Sequence, residues 1–339
     1  MSNEDVEWHN VVELDEAAGC GEPMVRRIPS RVAHALENGS GVAGDCTLCE
    51  IRFVAEAGKR AALTLTSLNG GDLFIYRGDF LHSHIRMAAG VRHRQLVNFD
   101  AGAFGGVRAD ALRGGAFDPA VWRVVMDGPT LFHGIDRLGS RLRPPRPEEK
   151  PRRRWLAYGS SITHGFTPVS RMQCYAAVAA RDLGVDVLNQ GLAGSCWCEP
   201  AFADYLAGRD DWDFLTAELG VNMRGHFAPA EFERRVRYFV DTVAGQHPGK
   251  PLVLISPFPS GTDFVLTPDR ASENTAAFRQ ILDTVAAEHA GSGVTLLDGR
   301  DILDDFTGLT VDLVHPSTEG HTLMGHNLAR LLRPIVGPE

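Results

Sequence analysis

A serine hydroxyl is a weak nucleophile until a neighbouring base takes its proton. The stretch WLAYGSSITHG, residues 155–165, offers two such hydroxyls, Ser160 and Ser161, between Gly159 and Gly165. A base for them stands far downstream, in VDLVHPSTEGH, where Asp312 lies three residues before His315. Pro316 disfavours the helical conformation at His315 and keeps it in a loop. A short loop can fold the Asp312 carboxylate against one imidazole nitrogen and leave the other facing outward. Hydroxyl, imidazole and carboxylate together are the components of acyl transfer, in which the carboxylate fixes the tautomer and stabilises the imidazolium. The reaction also needs donors for a tetrahedral oxyanion, and losing one costs about 3–4 kcal/mol. Candidates are the glycines of NQGLAGS, residues 189–195, whose backbone can approach a ligand closely, and the carboxamide of Asn222 in Gly220-Val221-Asn222. Each part has a plainer reading. Ser161 can cap the next helix, Ser160 can be a turn residue, and Asp312 with His315 can close a loop before a helix. A metal site is disfavoured, because no third ligand stands at a suitable spacing.

The elements that must position these residues follow from hydrophobic rhythm. RWLAYG, VDVLNQ, DFLTAELG, PLVLISP and GVTLLDG read as five buried strands. Helical patterns lie between and after them: RMQCYAAVAARDL, a segment near residues 199–208, PAEFERRVRYFVDTVAGQ, RASENTAAFRQILDTVAAEH and STEGHTLMGHNLARLLRPI. Strands alternating with helices predict a three-layer α/β/α domain with a parallel sheet, over residues 155–339. Chemistry gathers at the carboxyl ends of such strands, which is where Gly159-Ser160-Ser161, the glycines of NQGLAGS and Asn222 fall. The first part of the chain has a different rhythm. CTLCEIRFVAEA, AALTLTSL, GDLFIYRGDF and VWRVVMDG are strand-like, with turn residues between them, and predict an antiparallel β-sandwich of jelly-roll type over residues 1–145. Between the two, residues 146–154 are rich in proline and arginine and read as a linker.

Length and composition set outer bounds. A chain of 339 residues is long for one core, which predicts two domains. With 44% hydrophobic and 23% charged residues it is ordinary globular protein, and a net charge of -9 speaks against nucleic acid or an anionic membrane as partner. No apolar run is long enough to span a bilayer. The acidic N-terminus lacks the features of a signal peptide, so the cytoplasm is the expected compartment. The six cysteines then read as free thiols, and Cys46-x-x-Cys49 as structural, since no second half of a metal site accompanies it.

The blocks GSSITHG, NQGLAG, GVN and DLVHP resemble, in order, the four motif blocks of the SGNH/GDSL hydrolase family, over residues 155 to about 333. The N-terminal GGDLFIY resembles a stretch in the esterase subgroup that carries an additional β-domain. The resemblance implies a flavodoxin-like sheet, Ser161 as nucleophile, His315 as base and Asp312 as its orienting acid. It implies an oxyanion hole of the Ser161 N–H, the Gly194 N–H and the Asn222 side chain, and no metal or organic cofactor. It also implies a short-chain ester as substrate, often an acetylated carbohydrate, with a small metabolite or oligosaccharide ester expected inside a cell. Two positions depart from the family pattern: Ser160 stands where an aspartate usually precedes the nucleophile, and Met223 where an aspartate usually follows the asparagine. The layout is also not the Gly-x-Ser-x-Gly elbow, because Thr163 occupies the second glycine position.

Around this core, His164 and Trp197 are candidates to line a pocket, and Arg171 and Arg224 to meet an anionic substrate. Asn189 reads as a loop organiser and His321 and His326 as structural; His82 and His84 share a face of a strand but lack the third ligand of a metal site. The rival functions are an acyltransferase, which uses the same acyl-enzyme with an alcohol or amine acceptor, and a carbohydrate-binding protein whose catalytic domain has decayed. Oligomeric state is left open, a homo-oligomer included.

Overall fold

The computed structural model describes residues 5–16 and 21–337, so Cys20 lies outside the described residues. Residue contacts divide the chain into two units, Met1–Ser30 with Ala43–Arg152, and Arg31–Val42 with Arg153–Glu339.

The first unit is built on two antiparallel sheets. One orders the strands Glu7–His9, Cys49–Ala55, Val121–Met126, Gly71–Arg77 and Phe80–Met87, with Leu142–Arg143 beside Cys49–Ala55. The other orders Glu13–Glu16, Pro23–Arg26, Thr130–Asp136, Arg60–Ser67 and Arg92–Asn98. Alternate residues of both supply one core: Ile51, Phe53, Leu73, Ile75 and Val124 from the first sheet, Val25, Leu63, Leu65 and Val97 from the second. Two sheets sharing one apolar layer are a β-sandwich. The Cys46 and Cys49 thiols are buried and donate to the carbonyls of Val25 and Asn10.

The second unit has a five-stranded parallel sheet in the order Asp186–Gly191, Arg154–Gly159, Phe214–Glu218, Leu252–Ile255, Val294–Leu297. The helices Tyr175–Leu183 and Thr318–Val336 pack together, and Pro200–Ala207, Pro229–Gln246 and Arg270–Glu288 pack in succession. Right-handed crossovers send these two groups to opposite faces, which makes the three-layer α/β/α arrangement. The chain leaves Arg154–Gly159 toward one edge of the sheet and later returns to pair Phe214–Glu218 on its other side. The carboxyl end of Arg154–Gly159 is therefore the switch point where ligands bind in open α/β sheets.

Two boundaries differ from the sequence reading. Residues 31–42, expected in the β-domain, group with the second unit, because Glu199 accepts from the N–H groups of Glu37 and Asn38, and Arg235 pairs with Glu37 at 3.0 Å. Residues 146–152, expected as linker, group with the first unit. Their charge is paired locally: the Glu149 carboxylate takes both ends of the Arg143 guanidinium at 2.7 and 2.6 Å, and the Arg146 N–H at 2.7 Å. Among the described residues, no helix is long and apolar enough to cross a membrane.

Candidate active site

Ser161 opens a single helical turn, Ser161–His164, directly after the Arg154–Gly159 strand. The Ser160 hydroxyl caps that turn by accepting from the Ile162 N–H at 3.2 Å, and Gly165 closes it at φ +90°. Packing below the turn is too tight for a side chain at position 159, where a Cβ would meet Thr163 Oγ1 at 2.1 Å and Glu218 Oε2 at 2.8 Å. A strand that must end on glycine and a turn capped by serine leave the next residue, Ser161, at the rim.

The Ser161 hydroxyl lies 2.8 Å from His315 Nε2, across 154 positions of sequence. His315 Nδ1 lies 2.7 Å from Asp312 Oδ2. The other carboxylate oxygen, Oδ1, accepts from the backbone N–H groups of Val314 and His315 at 2.8 and 2.9 Å. Partial burial pushes the Asp312 carboxyl up, but the His315 and Val314 donors outweigh it and hold the group well below the usual carboxylate range. An ionised Asp312 accepts a hydrogen bond from the Nδ1–H group, which fixes the tautomer so that Nε2 presents a lone pair to the serine hydroxyl. The loop is fixed at its ends, where Leu309 bridges Pro316 and the Thr310 N–H donates to the His315 carbonyl at 2.8 Å. Between the two functional residues Leu313 sits at φ +55°, an uncommon conformation for a branched side chain. The Gly261 N–H holds its carbonyl at 2.7 Å.

Three donors stand at adjacent strand exits. The N–H groups of Ser161 and Gly194 and the Asn222 amide nitrogen have no hydrogen-bond partner among the described residues, while Asn222 Oδ1 accepts from the Cys196 N–H at 3.2 Å. That bond fixes which way the carboxamide faces. Gly194 is exposed at φ +69°, with no atom within 4 Å of where a Cβ would lie. Its carbonyl accepts from Asn38 Nδ2 at 3.3 Å.

A hydrogen-bonded serine, histidine and aspartate beside unengaged donors on a parallel sheet is the apparatus of acyl transfer. Residues 157–323 match the family model described as GDSL-like Lipase/Acylhydrolase family. The second unit is a GDSL-like lipase/acylhydrolase domain. Comparison with curated proteins finds no match. Among solved structures, the chain is similar to a salicylyl-acyltransferase from a tetracycline biosynthetic pathway, at 18% identity, 98% and 96% coverage of the two chains and TM-score 0.79. It is similar to a family two carbohydrate esterase from Cellvibrio japonicus at 14% identity, 99% and 96% coverage and TM-score 0.63. An acetyl xylan esterase from the rumen bacterium Butyrivibrio proteoclasticus is similar at 11% identity, 98% and 96% coverage and TM-score 0.56. At these identities the likeness is one of fold.

Of the remaining candidates, some stand where expected and others do not. His164, expected to line a pocket, is 1% exposed and accepts from the Ala193 N–H at 3.4 Å, so it supports the Gly194 loop from beneath. Arg224, expected to meet an anion, is buried and donates to Ser260 and Thr262 hydroxyls at 2.8 and 3.1 Å. It braces the loop that holds Leu313. Arg171 donates to the Gly165 carbonyl at 2.6 Å and stands over the Phe166 ring, so it secures the end of the Ser161–His164 turn. Trp197 is half-buried with its ring against His226 and Phe227, and its indole N–H is buried without a partner among the described residues. Asn189 donates to the Thr163 carbonyl at 2.6 Å, the organising role expected of it. His321 is fully buried, with its pKa pushed down to about 4 by that burial, and bridges the Tyr175 N–H and the Phe166 carbonyl.

Two residues escaped the sequence reading. Phe166 is 48% exposed, its ring 5.9 Å from the His315 imidazole. Glu218, the last residue of the Phe214–Glu218 strand, is fully buried under the Ser161–His164 turn. Its one trace in the sequence is a carboxylate at the end of the buried strand FLTAE, which says nothing of what it contacts.

Proposed function

We propose that this protein is a serine esterase that cleaves a short-chain ester, probed first as an acetyl ester of a carbohydrate or small metabolite, through an acyl-enzyme at Ser161. The observation that carries this reading is the unbroken hydrogen-bond chain Ser161–His315–Asp312, at 2.8 and 2.7 Å. Ser161 Oγ attacks the ester carbonyl and its proton passes to His315 Nε2. The carbonyl oxygen becomes an oxyanion facing the N–H groups of Ser161 and Gly194 and the Asn222 amide. Collapse breaks the bond to the alcohol, which leaves with the proton from His315. A water molecule then attacks the acyl-enzyme, gives a proton to His315, and the acid departs as Ser161 regains its hydrogen. Asp312 stabilises the imidazolium in both halves without taking its proton. The esterases among the similar folds support the choice of acetylated carbohydrate as first substrate class.

A second reading keeps the acyl-enzyme and replaces water by an alcohol or amine. Exposed Phe166, whose ring lies 5.9 Å from the His315 imidazole, and exposed Leu313, two residues before His315, favour it by offering apolar surface to an organic acceptor, and one similar fold is a salicylyl-acyltransferase. Product analysis with acetyl and butyryl esters, in the presence and absence of acceptor alcohols and amines, separates the two. Free acid as sole product supports the esterase; acylated acceptor in excess of acid supports the transferase. Esters turned over equally by wild type and Ser161→Ala contradict both, and would favour a binding protein with a decayed site.

A further inference from the structure

The aspartate that usually precedes the nucleophile in this family is absent, yet a carboxylate occupies the space beneath the turn. Glu218 Oε2 accepts from the Ser160 N–H at 2.7 Å and from Thr163 Oγ1 at 3.2 Å. Thr163 Oγ1 is held in turn by the Tyr175 hydroxyl at 2.7 Å. One carboxylate oxygen thus grips the chain on both sides of Ser161, one residue before it and two after. Its partner Oε1 is buried with no hydrogen bond among the described residues. A buried carboxyl left half satisfied costs stability, so its presence there asks for a role other than folding.

We propose that Glu218 is a positioning residue for acyl transfer at Ser161, and that the turn works best over its neutral, protonated form. The proposal rests on the reading of Ser161 as nucleophile. Since Oε2 accepts two hydrogen bonds, the proton of the neutral acid belongs on Oε1, the oxygen without a partner. Ionisation leaves the two grips intact but adds a negative charge close beneath the Ser161 N–H, where the reaction must develop a second negative charge on the carbonyl oxygen. The groups facing Glu218 include one cation and three neutral side chains. Arg224 is the cation among them, while Tyr175, Cys196 and Cys198 are neutral, their own ionisation pushed up by burial. Burial likewise pushes the Glu218 carboxyl up, to about 7, against the pull of Ser160, Thr163 and Arg224.

Steady-state kinetics on an activated acetyl ester, across the neutral and alkaline range, test the proposal. Glu218→Ala loses both grips, and its kcat falls tenfold or more while KM stays within about twofold. Glu218→Gln mimics the neutral acid: kcat near neutrality stays within about threefold of wild type, and the alkaline decline of the wild type disappears. A Glu218→Ala enzyme within about twofold of wild type in kcat overturns the positioning role. A Glu218→Gln enzyme with the wild-type alkaline decline overturns the role of ionisation, and it carries the test alone if the alanine variant does not fold. Fluorophosphonate labelling of the wild type separates this from the reading beneath it: no adduct defeats Ser161 as nucleophile, whereas an adduct with kinetically unaltered Glu218 variants defeats only Glu218.

Discussion

The Asp312 carboxylate is anchored by two backbone N–H groups before it touches His315, so its orientation does not depend on the imidazole. Asp312→Asn keeps that anchoring but offers a donor or a neutral acceptor to Nδ1, so kcat is expected to fall on the order of a thousandfold or more with little change in KM. Asn222→Ala removes one oxyanion donor and is expected to lower kcat by about 10²–10³, again with KM nearly constant; steady-state kinetics on a small acetyl ester check both. Glu218 yields a stability prediction of definite sign. Its carboxyl ionises near 4.5 when unexposed to the fold's influence and near 7 in the native state. Between those values the native state holds a proton that the unfolded state has lost, so stability falls as pH rises, and the full penalty of about 3 kcal/mol is reached above the native value. Urea unfolding of Glu218→Gln is expected to lack that slope; an unchanged slope contradicts it. Ser161, Asp312 and His315 were legible because each carries its context locally, as strand-glycine-hydroxyl or as Asp-x-x-His-Pro. Glu218 was not, since its meaning arises only from strand pairing, which sets Ala217 beside Tyr158 and brings the next residue under the turn.

Element by element, periodicity served well where a helix has one apolar face. Pro229–Gln246 begins at the proline favoured in a first helical turn and buries Phe232, Val236, Phe239, Val240 and Val243, the expected stripe. RMQCYAAVAARDL reads as one helix but splits, because Cys174 is extended between the turn Arg171–Gln173 and the helix Tyr175–Leu183. The segment 31–42 escaped altogether, as its anchor Glu199 lies 162 positions from Glu37. That anchor carries a prediction. Glu199→Ala orphans the N–H groups of Glu37 and Asn38, and frees the Asn38 side chain that holds the Gly194 carbonyl. The variant is expected to lose about 1–3 kcal/mol of stability in denaturant unfolding and to lower kcat more than it raises KM. Loss of stability without a kinetic effect would uncouple the segment from the oxyanion loop.

Across the whole molecule, the large apolar side chains exposed on the second unit fall mostly in three stretches. Phe166 and Val169 lie after the nucleophile turn, Phe264 to Leu266 follow the loop that holds Leu313, and Val311 and Leu313 flank Asp312; Tyr238 is the exception. In the proposed reading these side chains are the apolar surface offered to the acyl group. Val311→Asn, at a fully exposed position, is therefore expected to raise KM for a butyryl ester several-fold more than for an acetyl ester; equal effects would remove that surface from substrate binding. The fold class was legible from the change of rhythm near residue 150, whereas the true boundaries depend on side-chain pairs such as Arg235 with Glu37 that no rhythm reveals. The central claim, that two residues 154 positions apart act as nucleophile and base, is tested most directly by mass spectrometry after fluorophosphonate treatment. The account predicts a single covalent adduct on Ser161, absent in Ser161→Ala and formed far more slowly in His315→Ala. An adduct on Ser160, or ester turnover by a protein that forms no adduct at all, would contradict it.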